Sequence, residues 1–103
     1  MAFTVDRLGP GALRLTLGDV FLAEDAWQVH ELMERSEPGT RIELDFRRVR
    51  ECADFALSLL ARDVLGAKAT FDLRGLTQHQ ERVLSYFGVD ATRSRALLDF
   101  DPL

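Results

Sequence analysis

The chain has one cysteine, Cys52, and of its 13 basic residues only Lys68 is a lysine. A single cysteine excludes an internal disulfide framework and a cysteine-based zinc site, and it fits a reducing compartment. No apolar run approaches the ~18 residues of a membrane span, so no membrane insertion is expected. The opening Met1-Ala2-Phe3-Thr4-Val5-Asp6 lacks the basic and apolar regions of a secretory signal. Together these absences predict a cytoplasmic protein. The two histidines, His30 and His79, fall on different predicted helices without metal-ligand spacing, so no metal is expected. There is no internal repeat and no low-complexity segment. The formal net charge of −4 gives no general attraction for nucleic acid, which is not an expected partner.

What is present is ordinary globular material. Of 103 residues, 47% are hydrophobic and 29% charged, which excludes disorder and suits one domain spanning 1–103. Phe3 and Val5 alternate with Thr4 and Asp6, Gly9-Pro10-Gly11 makes a turn, and Leu13, Leu15 and Leu17 alternate with Arg14 and Thr16. That is a hairpin. From about 22 to 36 the period becomes helical, with Leu22, Ala26, Val29 and Met33 on one stripe and Glu37-Pro38-Gly39 as the stop. Ile42, Leu44 and Phe46 make a third strand, and an arginine-rich loop follows. Residues 54–65 are helical, with Gly66 placed for a left-handed end. Ala69, Phe71 and Leu73 make a fourth strand. Thr77 and Gln80 form a capping box for a last helix that closes at Gly88-Val89. Residues 91–103 have no clear assignment, although Ala96, Leu97, Leu98 and Phe100 suit a short helix or a cover for the core's edge.

The order β-β-α-β-α-β-α predicts an α/β fold with a four-stranded mixed sheet. Strands that alternate polar and apolar residues have one wet face, so the helices are expected mainly on the other. The wet face would carry Arg14, Thr16, Arg41, Glu43, Asp45, Lys68, Thr70, Asp72 and Arg74. It reads as a solvated face, or else as a docking surface or homodimer interface.

This order resembles the STAS domain, named for sulfate transporters and anti-sigma-factor antagonists. The resemblance rests on three stretches between residues 2 and about 90. They are the opening hairpin with its helix, Ile42-Glu43-Leu44-Asp45-Phe46 running through Val49 into an apolar helix, and Lys68-Ala69-Thr70-Phe71-Asp72-Leu73-Arg74-Gly75-Leu76 leading to Tyr86-Phe87-Gly88-Val89. It implies a β/α superhelix that binds another protein and performs no chemistry. Antagonist members usually carry Asp-Ser at the start of the helix after the third strand, and a partner kinase phosphorylates the serine. Here the segment reads Arg50-Glu51-Cys52-Ala53-Asp54-Phe55-Ala56-Leu57, with Asp54 at the acceptor position. A shift by one puts Phe55 there instead. No Ser or Thr lies between Thr40 and Ser58 in either register.

The resemblance therefore implies a bacterial regulatory component that has lost the usual acceptor. Its partner would be an anti-sigma factor or serine-kinase-like protein, met through Arg50, Glu51, Ala53, Asp54, Phe55 and Ser58. A rival implication is a STAS subunit on the ATPase of a lipid-transport ABC complex. A third reading takes Arg47, Arg48 and Arg50, ahead of a helix N-terminus, as an anion or nucleotide site reaching to Asp54. Against it, the same arginines make an ordinary solvated loop. Asp54 is expected to cap its helix. Cys52 is a small buried hydrophobe, or a reactive thiol beside Arg50. Trp27 belongs to the core or its edge, and exposed it would mark an interface. No nucleophile, base and orienting acid assemble from the local sequence, so neither an enzyme nor a cofactor is expected.

Overall fold

The computed structural model describes residues 3–66 and 68–90. Its elements are β1 (Phe3–Gly9), β2 (Ala12–Leu17), β3 (Val20–Phe21), α1 (Ala23–Arg35), β4 (Arg41–Asp45), β5 (Glu51–Cys52), α2 (Asp54–Leu65), β6 (Thr70–Arg74) and α3 (Gln78–Tyr86). The main sheet has the order β1-β2-β4-β6. β1 and β2 form the antiparallel hairpin, while β2, β4 and β6 run parallel. The expected mixed four-stranded sheet is therefore present. Residues 91–103, and the short helix or core cover expected there, lie outside the described residues.

Strand alternation sets the core. Leu15, Leu17, Ile42, Leu44, Phe46, Phe71 and Leu73 are buried together, beneath Ala26, Val29 and Met33 of α1, Ala56, Leu57, Leu60 and Ala61 of α2, and Leu84 of α3. α1 packs on α2 and α2 on α3, so the helices form one layer on one face of the sheet.

The capping box of α3 is complete. Gln80 N–H donates to Thr77 Oγ1 at 3.1 Å, and Thr77 N–H donates to Gln80 Oε1 at 2.9 Å. Gly88 closes the helix with φ +97°, and Val89 N–H returns to the Leu84 carbonyl at 2.9 Å. Gly66 differs from expectation. It is right-handed (φ −71°, ψ −14°) and ends α2 by donating to the Arg62 and Asp63 carbonyls.

The outer face is less wet than the alternation implies. Asp45 and Asp72 are buried, because Arg47 and Arg74, two residues further along, fold back over them. Arg14, Glu43, Arg74 and Asp72 form a continuous ion-pair chain across β2, β4 and β6, with contacts of 2.6, 3.5 and 2.9 Å. Lys68 is not in the strand. It reaches the end of α1, where Nζ meets Glu34 Oε1 at 3.0 Å.

Two strands have no counterpart in the sequence reading. β3 and β5 pair in parallel, Val20 opposite Glu51 and Phe21 opposite Cys52. This two-rung ladder fixes where α1 and α2 begin. No described helix is long and apolar enough to cross a membrane.

Candidate functional site

The β3/β5 ladder continues into the helix starts. Arg50 and Glu51 N–H groups donate to the Asp19 carbonyl at 2.7 and 3.0 Å, and Ala53 N–H donates to the Phe21 carbonyl at 3.0 Å. Leu22 and Ala53, the residues before α1 and α2, are thereby held side by side. α3 joins them through its second residue, since His79 Nε2 lies 3.1 Å from Asp54 Oδ1. The three helix N-termini thus gather at one end, beyond the carboxyl ends of the parallel strands.

Asp54 does not cap α2. The cap position is Ala53, which has no side-chain acceptor, and Asp54 is the first residue of the helix. Its exposed carboxylate suits the helix dipole and accepts from His79 when Nε2 carries the proton. The contrast with α1 is direct, because there Asp25 reaches back to accept the Leu22 N–H at 2.8 Å.

Phe55 follows Asp54 and stands 64% exposed. Ser58 is half-buried, and its hydroxyl donates to the Phe55 carbonyl at 2.6 Å. Arg50 and Glu51 are exposed, and Leu22 is partly so. The site is therefore a mixed surface with an aromatic side chain standing out of it.

The loop arginines do not converge. Arg47 is committed to Asp45. Its Nη2 and Nε donate to the carboxylate at 2.7 to 3.1 Å, and its backbone N–H adds a bond of 2.9 Å. The Arg47 hydrogen bonds hold Asp45 below its usual carboxylate range, against the opposing effect of burial. Arg48 lines a shallow depression with Thr4, Thr16 and Asp19, which neither Arg47 nor Arg50 lines. The loop is held from the other side by Gly75. At φ +73°, a Cβ there would lie 2.9 Å from the Arg47 backbone nitrogen, so only glycine fits.

Cys52 is half-buried. Burial, with the Asp54 charge added, pushes its thiol up to about 11, so it is not a nucleophile at neutral pH. Among the described residues, no three metal-ligating groups converge.

A second polar cluster escaped the sequence reading. His30 Nδ1 of α1 lies 2.7 Å from Asp63 Oδ1 of α2. The pair lines a groove of about 190 Å³ with Ala26, Trp27, Leu59 and Arg62. Trp27 is 53% exposed rather than core, and it meets His30 edge-on with ring centroids 5.5 Å apart. One signal was available. Asp63 falls three residues after Leu60, on the buried stripe of its helix, and a buried carboxylate requires a partner.

Comparison with family models and with curated proteins gives no match for this chain.

Proposed function

We propose that the protein is a non-catalytic binding module, STAS-like in architecture, that meets a partner protein at the start of α2 without a phosphorylation cycle. The observation that carries the reading is the 64% exposure of Phe55 beside the Asp54–His79 pair. Exposed aromatics framed by charged groups are what protein interfaces use as anchors. Asp54 supplies permanent charge at the position where antagonists of that family carry a serine, and Ser58, the nearest hydroxyl, is bonded to its own helix. The partner that suits this reading is an anti-sigma or serine-kinase-like regulator in the bacterial cytoplasm.

The test is affinity capture from the source cells with wild-type and Phe55→Ala proteins. A regulator retained by the wild type and lost with Phe55→Ala supports the reading. Capture of a transporter ATPase moves the module to a lipid-transport complex. Equal capture by both proteins, or phosphate found on Ser58 in cells, overturns it.

A further inference from the structure

β1 is an edge of the main sheet and, among the described residues, pairs only with β2. It is seven residues long and contains no proline. Natural edges of this length are usually covered or blunted, because their free N–H and C=O groups recruit another strand. Two apolar side chains on this edge, Val5 and Leu8, are 40% and 48% exposed. Beside it, between β1 and α1, runs a groove of about 240 Å³ lined by Phe3, Val5, Gln28, Glu31, Leu32 and Arg35. A second depression continues it past Val5, Leu32 and Arg35 to Arg7.

Gln28 adds an independent observation at the groove. Its side-chain carbonyl oxygen is buried and accepts no hydrogen bond among the described residues. A buried acceptor without a donor is costly, and native structures rarely leave one. Three charged groups here also lack an ion pair among the described residues: Arg7, Glu31 and Arg35.

We propose that two copies of this chain pair through their β1 edges, antiparallel about a two-fold axis at Val5. An antiparallel pair with its axis normal to the sheet sets one residue opposite itself, and every other residue opposite one on the same face. Centring on Asp6 or on Arg7 sets like charges face to face, which is destabilising. Centring on Val5 sets Val5 against Val5, Thr4 against Asp6, and Phe3 against Arg7 of the second copy. That arginine then lies over the groove. There it meets the Phe3 ring, donates to Gln28 Oε1 and approaches the Glu31 carboxylate. Val5 and Leu32 line both depressions, so the axis passes α1 near Leu32. This faces Glu31 of one copy with Arg35 of the other, twice.

Sedimentation across a concentration series, with site-specific crosslinking, tests the register. The wild type is expected to be a dimer. Arg35→Glu faces Glu with Glu and should raise the dissociation constant at least tenfold. Glu31→Arg added to Arg35→Glu should restore it. These are exposed helix positions, so folding is not at risk. In a Cys52→Ala background, Val5→Cys should oxidise rapidly to a linked dimer, since facing residues lie ~5 Å apart. Leu8→Cys should not, because the two copies of residue 8 are far from each other in this register. A monomeric wild type, a dimer indifferent to Arg35→Glu, or equally fast crosslinking at Leu8→Cys would overturn the proposal.

Discussion

Asp63 of α2 is nearly buried and holds His30 of α1 at 2.7 Å, across 33 residues of sequence. An ionised carboxylate can only accept, so His30 Nδ1 carries the proton in this pair. Removing the imidazole leaves a buried charge without its donor. His30→Ala is expected to cost about 1–3 kcal/mol in urea denaturation. Adding Asp63→Leu should recover much of that loss, because the desolvated charge is then gone. A loss that stays unchanged in the double variant would assign the effect to packing of the ring against Trp27.

Gly75 lies directly against the backbone of the arginine loop. A methyl group there meets the Arg47 backbone, and φ is positive as well. Gly75→Ala should lower stability by about 1–3 kcal/mol from strain alone. Gly11 has a similar φ of +70° and open space around it, so Gly11→Ala should cost less. Thermal denaturation of the two variants separates the close approach from the dihedral.

The start of α2 lacks a side-chain cap. Ala53→Ser would supply the missing acceptor and should raise stability by ~0.5–2 kcal/mol. Asp54→Ala removes only a favourable charge near the dipole and an exposed pair, and should cost under about 1 kcal/mol. If Asp54→Ala proved the more damaging of the two positions, the helix would begin one residue later than described.

Asp45 makes the fold acid-sensitive. Its carboxyl is held low by the Arg47 hydrogen bonds, so the folded state favours the ionised form. That stabilisation is fully present above about pH 4, the ordinary aspartate range, and is lost as pH falls through the depressed folded value. Arg47 is largely exposed, so solvent screens part of it. The stability gap between the wild type and Asp45→Asn should therefore be level at neutral pH and close below pH ~4. A gap that widens on acidification would contradict the pairing.

The sequence told most where side chains alternate over several residues. Leu13 to Leu17, Ile42 to Phe46 and Phe71 to Leu73 located three strands and their inner faces correctly. Alternation could not locate β3 and β5, because two residues have no period. It assigned Asp45 and Asp72 to the outer face correctly, yet both are buried. A period reports which way a side chain points, and the arginine two positions on decides what lies above it. The helix start at residue 54 was legible to within one residue. The remaining position depended on the Ala53 N–H finding the Phe21 carbonyl, a bond between segments 32 positions apart. The acid partners of His30 and His79 lie 33 and 25 residues away, and no local spacing encodes such meetings.

The ion-pair chain on the open side of the sheet has an effect at a distance. Arg14, Glu43, Arg74 and Asp72 alternate in sign from one contact to the next, and Arg47 answers Asp45 beside them. Summed, these groups leave dipoles and higher multipoles in place of a net monopole. Such fields decay faster than that of a lone charge, and salt screens them further over a Debye length of about 8 Å. To a diffusing polyelectrolyte this side is close to featureless until contact. The chain's excess negative charge is therefore seen from the helical side and the loops, which sets the orientation in which a charged macromolecule first approaches.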